Sequence, residues 1–190
     1  SRPGLFGAMF GGVRTPAFFI VAACAGVLVG CGDGANGPQA GPGNSPTTGV
    51  PPEVVCQWAK VAHVVDGDTI RVDFEIGAAD VPVRYIGIDT PETVAPGQAV
   101  QPFGPEATAR NTRLVGGKRI CLERDISEQD QYRRLLRYVW LEDGRLVNQV
   151  LLEEGLAVVD TFPPDVKYVE RFTAAQAVAR GSQRGIWSPR

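Results

Sequence analysis

Hydrophobic and polar positions alternate along short segments after residue 57, and this pattern predicts β-strands. The clearest case is 69–76, in which every second residue is apolar and the residues between are charged. Together with four other apolar segments it gives five predicted strands: 58–65, 69–76, 81–88, 118–124 and 135–142. Glycine-containing turns, at 66–68 and 143–144, follow the first and the fifth strand.

Three segments are predicted as helices: 105–114, 147–154 and 165–180. Pro105 suits a first helical turn, Gly155 marks a stop, and Asp165 stands near the start of the third helix. Short strands with helices inserted late indicate a mainly β member of the α+β class. We expect a five-stranded closed barrel of the OB-fold type with three helices.

The first 52 residues have a different composition from the rest. They contain three charged residues, and residues 32–52 hold six Gly and five Pro in 21 positions. The uncharged apolar run 16–31 is short for a spanning helix, which needs about 20 residues. A basic start followed by such a run is typical of an export signal. We therefore expect a signal peptide over 1–31, a disordered linker over 32–52 and a folded domain over 53–190.

The end of the apolar run indicates the kind of signal. Leu28-Val29-Gly30-Cys31 resembles the lipobox of bacterial lipoproteins, in which a peptidase cuts before a Cys that becomes lipid-modified. A second candidate ends at Cys24, but apolar sequence continues beyond it. Two or more acyl chains on Cys31 would hold the protein stably at a membrane. A plain N-terminal anchor is the alternative, and we expect an exported protein, lipid-tethered or secreted.

Charge and residue counts exclude several kinds of chemistry. The formal net charge is −2, which argues against coating nucleic acid through bulk positive charge. His63 is the single histidine, so no mechanism that needs two histidines is possible. The four Cys contain no C-x-x-C pair, which argues against a zinc site. The candidate chemistry therefore lies in acidic and guanidinium groups.

These groups collect in three short segments. The first segment, Asp66-Gly67-Asp68, places two carboxylates on a tight turn, where they could bind a hard cation. A simple hairpin turn is the alternative. The residues that follow do not fit the EF-hand pattern. The segment 84–92 ends a strand with Arg84 upstream of two carboxylates, and a simple ion pair is the alternative. The segment 130–134 precedes the fifth strand, and a solvated charge run is the alternative.

The order of these segments resembles that of the staphylococcal nuclease (thermonuclease) family over residues 58–188. The shared motifs are Asp-Gly-Asp-Thr (66–69), Arg-x-x-Gly-Ile-Asp-Thr-Pro-Glu (84–92), Phe-Gly-Pro-Glu-Ala (103–107), Asp-x-Tyr-x-Arg (130–134), Leu-x-Arg-Tyr-Val (135–139), Gly-Arg-x-Val-Asn (144–148), Glu-Gly-Leu-Ala (154–157) and Gly-Ile-Trp (185–187). The resemblance implies the same barrel with three helices. It also implies a calcium-dependent phosphodiesterase acting on DNA and RNA.

The resemblance also implies a cation site. Asp68 and Asp89 match the family's metal-binding carboxylates, Thr90 matches a residue that supplies its backbone carbonyl, and Asp66 matches a nearby acidic residue. Oxygen-only ligands select a hard cation such as Ca²⁺, so the residue chemistry agrees with this expectation.

The expected catalytic residues are Arg84, Glu92 and Arg134. By position the two arginines match phosphate-binding residues, and Arg forks can hold phosphoryl oxygens as charge develops. Glu92 matches the residue credited with activating water, and a carboxylate can accept that proton. Because Arg133 and Arg134 are adjacent, either could match the family's second phosphate-binding arginine. We favour Arg134 because of its spacing from Asp130 and Tyr132.

Tyr132 matches an aromatic residue at the nucleotide pocket, where it either stacks on a base or packs against the protein. After residue 157 the family's type member has tyrosines near the nucleotide, whereas this chain has Val-Val-Asp-Thr-Phe-Pro-Pro. We therefore expect base affinity or preference to differ.

Cys56 and Cys121 fall on strands that are neighbours in such a barrel. A disulfide is expected between them in an exported protein, with two buried free thiols as the alternative. His63 is expected to have no catalytic part.

Two other functions compete with a monomeric, membrane-tethered nuclease: a non-catalytic OB-fold module that binds nucleic acid, and a protein-interaction domain. Both predict losses among five residues that are all present in this sequence: Asp68, Arg84, Asp89, Glu92 and Arg134.

Overall fold

The computed structural model describes residues 49–93 and 99–189. The predicted signal segment, the lipobox and most of the predicted linker lie outside these residues. Within the described part of the chain, no helix has the length and apolar character needed to cross a membrane.

Seven strands and three α-helices make up the described fold. In chain order they are β1 (Gln57–Val64), β2 (Thr69–Phe74), β3 (Val81–Tyr85), β4 (Ile88–Asp89), α1 (Gly104–Val115), β5 (Arg119–Glu123), β6 (Leu135–Leu141), α2 (Val147–Glu153), β7 (Val158–Val159) and α3 (Val169–Gly181). Five strands close into a barrel in the order β1-β2-β3-β6-β5. The pairs are antiparallel except for β3 with β6. The predicted fold, a mainly β five-stranded barrel with three helices, is confirmed.

The predicted strand 81–88 is divided in two. Gly87 has φ +77°, a left-handed conformation that favours glycine. A Cβ there would lie 2.8 Å from the Phe172 ring. Beyond this bend, β4 leaves the barrel and pairs with β7. The bend thus carries Asp89 out of the barrel wall, which the alternating sequence pattern did not reveal.

The third helix begins at Val169, so the predicted start near Asp165 is wrong. Asp165 instead accepts hydrogen bonds from the backbone N–H groups of Ile126 (2.9 Å) and Ser127 (2.8 Å). It joins two loops rather than opening a helix. At the second strand, the predicted end at Ile76 is also too late, because the strand stops at Phe74 and Ile76 is exposed.

Most buried core residues are aliphatic, and an aromatic contact packs α3 against β6. The Tyr138 and Phe172 rings lie 5.9 Å apart in an edge-on arrangement. Cys56 and Cys121 form a disulfide between the start of β1 and β5, with Cα atoms 5.0 Å apart. The predicted pairing of these two cysteines is therefore confirmed.

A buried carboxylate joins β5 to the segment before α3. Glu123, 2% exposed, accepts hydrogen bonds from Trp140 Nε1 (2.7 Å) and the Tyr168 hydroxyl (3.0 Å). Its other oxygen receives Lys167 Nζ. Because buried carboxylates are tolerated when paired and hydrogen-bonded, this cluster can fix the chain that follows β7.

The last residues of the predicted linker are part of the described fold. Gly49 donates its N–H to the Glu142 carbonyl at 2.6 Å, next to the turn after β6. Val50 packs against the core. Contacts with the barrel thus begin before residue 53.

Candidate active site

The turn between β1 and β2 places Asp68 inside the protein. The N–H groups of Val65 and Asp66 both donate to the Thr69 carbonyl, and Asp66 Oδ1 accepts the Asp68 N–H at 3.0 Å. Gly67 allows the turn to approach β4, because a Cβ at this position would lie 2.6 Å from Thr90 Oγ1. Asp68 is consequently 1% exposed.

Both carboxylate oxygens of Asp68 accept hydrogen bonds. Oδ1 receives the Thr69 hydroxyl (3.1 Å) and the Arg84 guanidinium. Oδ2 receives the Thr90 N–H (2.8 Å) and hydroxyl (3.0 Å). Burial raises the pKa of Asp68 to about 7, against the opposing effect of Arg84. A cation that binds Asp68 would therefore compete with these donors.

Arg84, on β3, bridges the two carboxylates predicted to hold a cation. One nitrogen contacts Asp68, and the other donates to Asp89 Oδ1 at 2.7 Å and to the Ile88 carbonyl at 3.2 Å. The Asp89 side chain is 52% exposed, whereas that of Arg84 is 19% exposed. The bridge thus runs from the barrel interior to the surface.

Arg134 approaches the same place from the turn before β6. Its Nε donates to Asp130 Oδ2 at 2.7 Å, and its Nη1 lies 3.5 Å from the Thr69 hydroxyl that bonds Asp68. Arg133 has an exposed side chain and a left-handed backbone with φ +65°. Of the two arginines, the structure thus brings Arg134 to the site.

Glu92 lies on the segment that follows β4, next to the undescribed residues 94–98. Its Oε1 accepts the Thr93 N–H at 2.9 Å, and its own N–H donates to the Gln101 side chain at 3.1 Å. Along the chain, Glu92 thus follows by two residues the Thr90 contact with Asp68.

Tyr132 extends into solvent with 70% of its surface exposed. The Arg134 guanidinium carbon lies 5.4 Å from the centre of its ring. Such exposure disfavours the alternative that Tyr132 serves mainly in packing. It leaves an aromatic face available beside an arginine.

A cavity of about 430 Å³ adjoins these residues, within the usual range of ligand sites. Arg84, Arg134 and Tyr132 line it, together with Asp160 and Phe162 from the chain after β7. The sequence alone assigns no role to Asp160 or Phe162. The sequence feature that points to them is the departure from the family's tyrosines over 158–164.

Asp160 is held beside the bend that follows β3. Its N–H donates to the Gly87 carbonyl at 3.1 Å. Partial burial raises the pKa of Asp160, and the negative charge of Asp89 contributes a smaller part of the shift. A third carboxylate thus lies near Arg84 and Asp89.

The predicted cation ligands are all oxygen donors, which suits Ca²⁺ chemically. Arg84 already places a positive charge between Asp68 and Asp89. In the residues that the structure describes, no three metal-ligating side chains are gathered into one cluster. The donor chemistry fits a calcium ion, and the bridging guanidinium occupies the carboxylates that would hold it.

Comparison with known proteins shows the family. The model of the staphylococcal nuclease homologue family matches residues 82–189. A thermonuclease of Staphylococcus hyicus is 43% identical over 132 residues, covering 70% of this chain and 76% of the relative. The thermonuclease of Staphylococcus intermedius is 42% identical over 127 residues, covering 67% and 74%. The SPbeta prophage-derived endonuclease YokF of Bacillus subtilis is 44% identical over 128 residues, covering 66% of this chain and 42% of the relative. With the barrel and the shared motifs, these matches establish that the chain belongs to the staphylococcal nuclease family.

Proposed function

We propose that this chain is a calcium-dependent endonuclease that hydrolyses phosphodiester bonds in DNA and RNA. The observation that carries the proposal is the Arg84 bridge between Asp68 and Asp89, beside a cavity that Arg134 also lines. The relatives named as thermonucleases and endonucleases support a nuclease activity.

The two arginines offset the charge of the substrate. A phosphodiester is an anion, so attack by a hydroxide or water is repelled until that charge is balanced. Arg84 and Arg134 are permanently protonated and offer planar forks that suit phosphoryl oxygens. Their existing carboxylate partners orient them before substrate binds, and such preorganised charge lowers the barrier most.

Asp68, Asp89 and the Thr90 carbonyl would hold Ca²⁺, with Asp66 nearby. When bound, the ion would polarise a phosphoryl oxygen and orient the reacting groups. Asp68 is fixed by Thr90 and Thr69, so its orientation does not depend on Arg84 alone. The guanidinium can then exchange a carboxylate oxygen for a phosphate oxygen.

Glu92 accepts the proton of the attacking water in this proposal. A carboxylate can act as a general base when it lies within hydrogen-bond reach of that water. Glu92 lies on the segment that follows Thr90, whose N–H and hydroxyl bond to Asp68. Tyr132 offers its exposed ring to a base of the strand.

The test compares cleavage of single-stranded DNA and of RNA by the full chain and by Arg84→Ala, with Arg113→Ala as control. Arg113 is exposed on α1. We expect the Arg84 variant to lose about 10²-fold or more in kcat, as when a preorganised charge donor is removed. We expect Arg113→Ala to match wild type. An Arg84 variant that cuts as fast as wild type would contradict the assigned mechanism.

The runner-up function is a non-catalytic OB-fold module that binds nucleic acid. It predicts that the protein binds single-stranded DNA or RNA and does not cleave it at any calcium concentration. The same assay separates the two functions, because a binding module would retard the strand and leave it intact.

We also propose export and a lipid anchor on Cys31, resting on the sequence of the lipobox. Cys31→Ser should move the protein from the membrane fraction to the soluble or secreted fraction, because the acyl chains that supply membrane affinity would be missing. Unchanged fractionation would reject the anchor and leave the nuclease proposal untouched.

A further inference from the structure

We propose that Asp160 makes this site prefer guanine as the base of the nucleotide whose phosphate lies at Arg84 and Arg134. The inference rests on the proposed nucleic-acid substrate and adds a base preference to it. It concerns the segment after β7, where this chain departs from the tyrosines of the family's type member.

The first observation is placement. Asp160 lines the same cavity as both arginines, and its backbone is tied to the Gly87 carbonyl at the bend between β3 and β4. Asp160 thus lies on a fixed backbone next to the phosphate-binding groups. A nucleotide with its phosphate at the arginines can extend its base into this cavity.

The second observation is that aromatic rings line the same cavity. Tyr132 and Phe162 are 70% and 69% exposed, and they come from different segments of the chain. Stacking on such rings is tolerant of sequence, because every base has a π-face. These rings can hold a base without selecting one, so selection depends on the polar groups of the lining.

The third observation concerns which carboxylates still have free acceptors. Asp130 is occupied by Arg134 and by backbone N–H groups. Asp165 accepts two other backbone N–H groups at Oδ1 and is only 6% exposed, so its carboxylate is not accessible to a base. Within residues 49–93 and 99–189, the Asp160 carboxylate accepts no hydrogen bond, and Arg84 and Asp89 act on it only through their charge. Asp160 is therefore the acidic group of the lining with acceptors to offer a ligand.

The chemistry of the base edges then decides the preference. A carboxylate only accepts hydrogen bonds, and its two oxygens can take two parallel N–H groups. Guanine presents N1–H and the 2-amino group side by side on its Watson–Crick edge. Thymine and uracil present one N–H between two carbonyl oxygens, which a carboxylate repels. Adenine and cytosine offer one amino group beside an acceptor. Single-stranded substrates expose these edges for readout.

The experiment measures base preference in two ways with the full chain. The first is kcat/KM, with mapping of the cut, on single-stranded thymine oligomers that contain one guanine, adenine or cytosine. The second is calorimetric binding of deoxyguanosine and thymidine 3′,5′-bisphosphates in the presence of Ca²⁺. Both are repeated with Asp160→Ala and Asp160→Asn. Glu170→Gln, a change at an exposed carboxylate on α3, is the control.

We expect wild type to favour guanine over thymine by about tenfold in both measurements, as for a bidentate base contact. Asp160→Ala should bring the two bases close to equal. Asp160→Asn should also raise binding of thymidine bisphosphate, because its amide can donate to a thymine carbonyl. The control should keep the wild-type preference.

Three results would overturn the inference. The first is a wild-type protein that shows no preference for guanine over thymine. The second is a guanine preference that remains in Asp160→Ala. The third is an equal loss for all bases together with weaker Ca²⁺ binding, which would assign Asp160 to the cation site. Cleavage without base preference would reject the inference and keep the proposed nuclease. Guanine-selective binding of bisphosphates without any cleavage would do the reverse.

Discussion

Arg84 donates a hydrogen bond to the buried carboxylate of Asp68, and this contact joins the proposed phosphate site to the proposed cation site. Thr69 and Thr90 complete the four donors around Asp68. The Asp68 carboxylate is therefore held in one orientation inside the protein, next to the positive charge of Arg84.

Calcium affinity should fall as the pH is lowered through neutrality. Burial raises the pKa of Asp68 to about 7 in the calcium-free protein, and a metal-ligating carboxylate must be deprotonated. Below that pKa, Ca²⁺ must displace a proton, so affinity should drop by up to about tenfold per pH unit. Calorimetric titration with Ca²⁺ at several pH values checks this. An affinity that is flat on both sides of neutrality would contradict it.

The two neighbouring arginines should behave differently. Arg134→Ala should lower kcat about 10²-fold or more, because a positioned charge donor is lost. Arg133→Ala should leave kcat near the wild-type value, because that side chain is exposed and, among the described residues, makes no hydrogen bond to the site, whereas Arg134 does. Initial rates on one single-stranded substrate check both. A larger loss in Arg133→Ala would reverse the assignment.

Arg133→Gly offers a separate measure of the same turn. A left-handed non-glycine residue costs about 1–2 kcal/mol, and Arg133 has φ +65°. Glycine removes that cost but adds entropy to the unfolded chain, so the free energy of unfolding should stay equal or rise by up to about 1 kcal/mol. Urea denaturation checks the change. A clear loss of stability would show that the Arg133 side chain contributes contacts that its exposure does not suggest.

Glu123→Gln should destabilise the fold by about 1–3 kcal/mol. The change removes the negative charge that pairs with Lys167. It also places an amide N–H, a donor, opposite the hydrogen-bond donors of Trp140 and Tyr168. Denaturant midpoints check the shift, with Glu170→Gln on the surface of α3 as a control that should not move. Equal midpoints for the two variants would show that the buried cluster adds nothing to stability.

Removing the disulfide should cost about 4 kcal/mol in the chain-entropy model, since Cys56 and Cys121 are 65 residues apart in sequence. Cys56→Ser/Cys121→Ser and the reduced wild type should unfold at similar, lower denaturant concentrations. If both match the oxidised wild type, the crosslink does not constrain the unfolded chain as proposed.

Local pattern predicted most of the barrel and less of the site. Alternation located the five barrel strands, because each has one face in the core. It extended 81–88 through the bend at Gly87, since the apolar run continues there although the backbone turns away. The sequence predicts Asp165 within a helix because acidic residues favour first turns, whereas its carboxylate binds backbone N–H groups of a distant loop. The departure from the family's tyrosines marks the segment of Asp160 but assigns it no role, because only the fold shows that Asp160 lines one cavity with β3 and the turn before β6.

The central claim is calcium-dependent hydrolysis at the Arg84 site. The most direct measurement is the rate at which the full chain cleaves single-stranded DNA with Ca²⁺, and again with a chelator in its place. We predict rapid endonucleolytic cleavage with Ca²⁺ that stops with the chelator and returns when Ca²⁺ is restored. No cleavage with Ca²⁺, or the same rate in its absence, would contradict the account.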